Sequence, residues 1–519
     1  MKPSLRLHHF LAGATTSALA VLSAGATTFI KQDNTSNLNS ALSYTANSGV
    51  PGVNDIIEID GTFTASRTSA LGASLSVFGI NQTAAADFQF QINNTAGATL
   101  TIGAGGVTMA STVAGANLIF TNAVTLGANQ TWTTVTGRGL QMNGTFNDGG
   151  KTLAVNGTGL FDLRGSNTFG SNVTIDSSVS INAVGATVTF GGANTMNSLS
   201  VPNGRVVGAT LGNFGVASNF GDGGTNTAIT LGNTSNGVME YSGVSATSNR
   251  TINRDARSAA SGIDVTNANQ TLTLTGAMGS GTQLNSGSNG WSFGGAGNLT
   301  LNGAISNSTG VGSTGTTISK NGGGTLTLGS NSNTYTGATD VNSGKLLING
   351  NVSTSSLTTV KSGATLGGTG TVGAMVVNSN GTFAPGDNGI ESLNVNGNLT
   401  LDGASFSVFE INTAGDISDL AISTALLTFG GTLTVTNIGG ALVAGDIFDL
   451  FDWSSSTGSF ASVNLPVLGG GLAWDQSNLY STGRIAVTAV PEPDLTALFG
   501  GLGTLALLRR RRTTGSPEI

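Results

Sequence analysis

Short runs of alternating apolar and polar residues recur along this chain, separated by Gly, Asn and Ser. The clearest is Thr325-Leu326-Thr327-Leu328, where a period of two sets both leucines on one face of a strand and both threonines on the other. Asn331, Asn333 and Gly337 then mark a turn, and Thr339 to Val341 is a second short strand. Ser343-Gly344 turns again before Lys345 to Ile348. A degenerate copy occupies Gly149 to Ile175. There Thr152 to Val155 aligns with the first strand, Val173 to Ile175 with the second, and Asn167, Thr168, Phe169 and Gly170 with the turn. Looser echoes are Thr271 to Leu274, Leu299 to Leu301, Leu357 to Val360, Leu399 to Leu401 and Thr432 to Val435, while Leu420 to Leu427 admits helix or strand. A four-residue strand is not stable alone, so the pattern predicts stacked coils, each completing the next one's hydrogen bonds and burying its inward Val, Leu and Ile. At about 22 residues per coil the predicted solenoid holds roughly 20 coils.

Composition narrows the chemistry. The chain has 519 residues, of which 80 are Gly, 9% are charged and 38% are apolar, a balance unlike that of disordered chains or ordinary enzymes. There is no Cys, and the two histidines are His8 and His9. A mature chain without those two could build neither a Ser-His-Asp triad nor a His- or Cys-ligated metal site. That leaves carboxylate chemistry, oxygen-ligated Ca²⁺ or no chemistry at all, and the expectation is no catalytic residue, cofactor or metal.

Both ends read as addresses. Lys2 and Arg6 precede an apolar stretch from Phe10 to Ala24, and Ala24-Gly25-Ala26 is a small-x-small cleavage site, so residues 1–26 read as a signal peptide for signal peptidase. At the other end Val490-Pro491-Glu492-Pro493 precedes the apolar span 495–508 and then Arg509, Arg510, Arg511 and Arg512. Fourteen helical residues rise about 21 Å, short of a ~30 Å hydrocarbon core, and the arginines would hold that end in the cytoplasm. This order of motif, span and basic cluster resembles the bacterial PEP-CTERM sorting signal. The resemblance makes Pro491, Glu492 and Pro493 the motif within 490–512 and implies an exosortase-type sorting enzyme as partner. A plain tail anchor would share the topology. With both terminal segments set aside, 13 Lys and Arg face 23 Asp and Glu, a net charge of −10 over residues 27–490, which speaks against nucleic acid as a partner.

The unit 322–348 resembles the autotransporter-associated β-strand repeat, with its GG-x-LTL, NTYTG and V-x-x-G-x-L segments; Ala338 stands where a second Gly is usual. Lys31 to Asn34, Val50 to Asp55, Gly445 to Phe451 and Gly471 to Tyr480 look like the usual start and end of such secreted bacterial proteins. The family implies a right-handed parallel β-helix over 27–490, with a C-terminal cap at about 400–488. Fewer than 100 residues separate Asn394 from Val490, too few for an eight-stranded barrel, so passage across an outer membrane is expected to rely on other machinery.

The densest acids are Glu410, Asp416, Asp419, Asp446, Asp449, Asp452 and Asp475, while Arg250, Arg254 and Arg257 form a separate basic cluster. We read these as solvated charges guarding strand edges. We read Trp132, Trp291, Trp453 and Trp474 as packing residues rather than sugar platforms. Asn194, Asn267, Asn269, Asn331 and Asn333 either stack as amide ladders or serve only as turn residues. The expected function is a secreted, surface-sorted structural or adhesive solenoid, associated with extracellular polysaccharide or other cell-envelope components. The alternative is a polysaccharide-processing β-helix enzyme using the carboxylates of 410–475, which would require those acids to converge in one groove.

Overall fold

The structure is a computed structural model. It describes residues 25–491 apart from 46–48, 84–85, 87, 111–116, 136–138, 158–159, 164–166, 169–172, 177–186, 191–198, 222–227, 233–235, 255–259, 281, 284–286 and 311–312. The chain is an all-β parallel solenoid that divides after Ser242 into two compact units. Among the described residues the one helical element is the 3-10 turn Ala41–Ser43.

In the first unit two faces alternate along the chain. One begins with Thr28–Ile30, Ile56–Ile59, Leu75–Gln82 and Thr99–Met109, each strand parallel to the last. The other begins with Arg67–Ala70, Phe90–Asn93, Leu118–Phe120 and Gly139–Met142. Equivalent apolar residues fall in line from coil to coil, as in Leu75, Leu100 and Val124, or Phe90, Leu118 and Leu140, and all are buried. Parallel in-register pairing requires this: a slip of one residue would turn each inward side chain to solvent.

The second unit carries its clearest ladder through Ala246–Ser248, Thr271–Leu274, Asn298–Leu301, Thr325–Leu328, Gly344–Ile348 and Ala364–Gly367. Leu272, Leu299, Leu326, Leu346, Leu366 and Phe383 form one buried column along it. Thr273, Thr300 and Thr327 line up on the opposite, half-exposed side, as the alternation predicts. Parallel strands continue through Phe406–Asn412, Leu420–Phe429, Thr432–Asn437 and Ser462–Asn464. A three-stranded antiparallel sheet follows, built from Ile447–Asp449, Leu472–Asp475 and Arg484–Ala489.

Two sequence expectations change and one open alternative is settled. Coils in the second unit run from 17 residues, Leu366 to Phe383, to 30, Leu433 to Val463, and average about 24, so fewer coils fit than expected. In the degenerate copy, Val173–Asp176 pairs directly with Leu153–Gly157 and so closes a coil, the part played in the best unit by Gly344–Ile348 rather than by Thr339–Val341. The ambiguous stretch is the strand Leu420–Phe429, because pairing with Phe451–Gly458 satisfies its backbone. The residues up to Ala24, read from the sequence as a signal peptide, and the apolar span 495–508 lie outside the described residues. Among the described residues no helix is long and apolar enough to cross a membrane.

Candidate functional site

The best repeat spends its polar residues on holding coils together. Asn333 is buried. Its Oδ1 accepts from Ile305 N at 2.9 Å, and its Nδ2 donates to Ser330 O at 2.7 Å and Asn351 O at 3.0 Å. One amide thus ties three successive coils. Tyr335 is fully buried and its hydroxyl lies 2.9 Å from Thr339 Oγ1, itself 3.1 Å from Ser355 Oγ. Gly337 must be glycine because a Cβ there would stand 2.3 Å from Thr316 O. Each conspicuous residue of the turn therefore answers a packing demand.

Lys320 escaped the sequence reading. It ends the strand Ser313–Lys320, is 3% exposed, and donates from Nζ to Asn321 O and Gly322 O, both at 2.8 Å, and to Ser343 O at 3.1 Å. Burial lowers its ammonium to about 8. The legible signal was its position: Thr316, Ile318 and Lys320 share the inward phase of the strand. Lys31 repeats the device in the first unit, donating to Gln32 O, Asn34 O and Asn34 Oδ1, and burial likewise lowers it to about 8.

The acids of 410–475 are not a shared groove of free carboxylates. Asp419 is 2% exposed; its Oδ1 accepts from Glu391 N at 3.0 Å and its Oδ2 from Glu410 N at 2.7 Å. Burial, reinforced by the charges of Glu410 and Glu391, pushes it up to about 6 despite those bonds. Asp446 is also buried, and its Oδ2 accepts from Val443 N at 2.8 Å. Asp449 pairs with Arg484 at 2.9 Å. Burial and then the Asp449 charge raise Asp452. Asp475 accepts from Ser477, which lowers it. Asp416 sits exposed at a hairpin tip with φ 52°. Among the described residues no three His, Cys, Asp or Glu gather as a metal site.

Reading every cluster as edge charge was therefore too simple. Arg250 and Arg254 are fully buried. Arg254 donates to Ser308 Oγ at 2.9 Å and lies 6.0 Å from the centre of the Trp291 ring, so it is an interior residue; Arg257 lies outside the described residues. Lys361 is exposed and pairs with Asp340 at 3.8 Å. Trp132 and Trp291 are buried in the solenoid interior, whereas Trp453 and Trp474 are half-buried against Phe429 and Phe448. Trp132 and Trp291 therefore offer no ring face to solvent. One amide–amide bond does form between coils, Asn342 Nδ2 to Asn321 Oδ1 at 2.9 Å, at asparagines other than those singled out from the sequence. Asn267 instead donates to Gly243 O, and Asn194 lies outside the described residues.

Of the address residues, Ala26 is half-exposed two positions before Thr28–Ile30, and Pro491 is exposed after Val490, whose N–H donates to Gly471 O at 2.8 Å. Ala24, Glu492, Pro493 and Arg509 to Arg512 lie outside the described residues.

The passenger-associated-transport-repeat family model matches residues 318–348, beginning with the strand residues that carry Lys320 and ending with the strand that closes the coil. Over 144 residues the chain is 35% identical to the adhesin BmaC autotransporter of Brucella suis biovar 1 (strain 1330), a match covering 26% of this chain and 4% of that protein. Over part of its length, then, the chain is similar to autotransporter passenger repeats.

Proposed function

We propose that the chain is an exported, surface-sorted structural or adhesive protein whose solenoid presents a sparsely charged surface and performs no catalysis. The observation that carries this reading is the repeat at 318–348. It spans one complete coil and the first strands of the next, and its most distinctive side chains, Lys320, Asn333 and Tyr335, are bonded within the repeat or, for Asn333, to the coils on either side. The partial likeness to an adhesin supports the adhesive half of the proposal. The enzymatic alternative loses ground because Asp419, whose value near 6 would suit a general acid, is buried with both oxygens occupied by backbone N–H groups.

In this reading signal peptidase removes residues 1–26, and an exosortase-type enzyme recognises Pro491, Glu492 and Pro493 while the 495–508 span and Arg509 to Arg512 hold the tail at the inner membrane. The released protein then joins extracellular polysaccharide or other envelope material. The test is fractionation of the native host with an antibody to the solenoid, beside a strain lacking residues 1–26. Processed protein from the intact gene is expected outside the cytoplasm and in the extracellular matrix fraction, and the form lacking residues 1–26 inside the cell. Equal cytoplasmic retention of both would sink the proposal.

A further inference from the structure

The corner between the two faces of the first unit is not smooth. Phe90–Asn93 reaches Thr99–Met109 through the five residues 94–98. In the next coil Leu118–Phe120 reaches Ala123–Leu126 through only residues 121 and 122, and in the one after it Gly139–Met142 reaches Phe146–Asn147 through 143–145. These strands are stacked in register, Phe90 on Leu118 on Leu140 and Leu100 on Val124 on Phe146. One long turn therefore stands beside two tight ones and leaves an open recess of about 480 Å³.

The recess is a built feature. Asn94 N–H donates to Thr121 Oγ1 at 3.0 Å, while that hydroxyl lies 3.1 Å from Ile92 O, fixing the long turn over the short one. Asn143 N–H donates to Phe120 O at 2.7 Å. A Cβ on Gly144 would stand 2.1 Å from Asn122 O, so glycine is needed to tuck the third turn back.

Its lining is chemically narrow: Asn94, Gly97, Ala98, Thr99, Thr121, Ala123, Asn143, Gly144 and Thr145. No charged residue lines it, so a phosphate, carboxylate or cation would gain no ion pair there. No large apolar or aromatic side chain lines it either, so a lipid or aromatic ligand would bury little surface. What it offers are side-chain amides at Asn94 and Asn143 and hydroxyls at Thr99 and Thr145, none bonded to another described group. Each amide and each hydroxyl both donates and accepts, which is the bonding pattern of a sugar hydroxyl. Glycine and alanine leave room for the flat C–H side of a pyranose ring. Three turns at about 4.8 Å spacing offer these groups over roughly 10 Å.

We propose that this corner of the first unit binds a short segment of a neutral, hydroxyl-rich polysaccharide. The inference rests on the proposed extracellular role and names its ligand class. Without an aromatic platform the single-site affinity should be weak, a Kd of roughly 1 mM, so useful attachment would come from many copies on one polymer.

The full chain is titrated with cellohexaose, isomaltohexaose and, as a charged contrast, an alginate hexamer, by isothermal calorimetry and by ligand-observed NMR. At least one neutral hexasaccharide should bind and alginate should not. Asn94→Ala and Asn143→Ala, both at exposed turn positions, should each weaken binding at least threefold. Ala123→Leu, which fills the floor, should weaken it tenfold, with circular dichroism and melting temperature held near wild type for the two asparagine variants. The inference is overturned if neither neutral hexasaccharide binds, if alginate binds as well as they do, or if both asparagine variants bind like wild type. Binding that survives those variants would leave the extracellular role standing and remove only this site. Cytoplasmic retention in the fractionation experiment would remove the role itself.

Discussion

Leu326 and Thr327 are neighbours in sequence and opposites in environment: Leu326 is 1% exposed in a leucine column, while Thr327 is half-exposed between Thr300 and Leu347. Truncating Leu326 to Ala should cost about 2–5 kcal/mol in chemical denaturation, and Thr327→Ala under about 0.5 kcal/mol. Equal costs would mean the alternation does not define the interior. Asp419 adds a pH signature. Its folded value near 6 lies above the ordinary 3.8, so the folded state binds the extra proton between these values. Stability through this group is complete below about pH 4 and falls as pH rises to about 6, by roughly 3 kcal/mol at 1.36 kcal/mol per unit. Asp419→Asn should flatten that part of the stability–pH curve relative to wild type. Parallel curves for the two proteins would show that Asp419 titrates normally. Lys320 has the opposite sense for a cation: its folded value near 8 lies below 10.5, so its stability penalty is relieved as pH rises from 8 to 10.5. Replacing it by Met strips a donor from three carbonyls and should destabilise by about 1–3 kcal/mol at pH 7.

At the scale of the element the unit of structure is one coil. Leu326 pairs with Leu346 and Leu299 with Leu326, so deleting residues 326–345 would seat Leu346 on Leu299 and restore the ladder one coil shorter. Because each coil bonds mainly to its neighbours, the second unit should stay folded after this deletion, with an unchanged β-sheet spectrum and a lowered melting point. Deleting ten residues instead would put the ladder out of register and should abolish cooperative unfolding. Matching thermal profiles for the two deletions would argue against coil-by-coil stacking. The variation from 17 to 30 residues per coil is carried by turns, and turns are where solenoids place their variable chemistry; the recess under residues 94–98 arises in this way.

At the scale of the whole molecule the proposal turns on the two ends. Protein recovered from its host should, by intact mass, begin near Thr27 and end within Pro491 to Pro493. Recovery of a membrane-bound chain that still ends at Ile519 would replace sorting with a permanent anchor. Replacing Arg509 to Arg512 with neutral residues should let the tail pass through the inner membrane and yield secreted, uncleaved protein.

The strand phase, the all-β class and the coil principle were open to reading in the sequence because they are periodic and local: a period of two settles which side chains go inward before any partner is known. The polar residues of the NTYTG turn were visible as a motif, but their work was not, since Asn333 serves carbonyls and amides near positions 305, 330 and 351 that only stacking brings together. The same holds for charge. Arg250, Arg254 and Asp419 look like ordinary surface residues in a sparse acidic chain, yet the fold carries them inside, where the Ser308 hydroxyl accepts from Arg254 and backbone N–H groups donate to Asp419. Coil length and the recess between turns were likewise decided by tertiary structure, because the depth of a corner depends on how one turn overhangs the next and not on either turn alone.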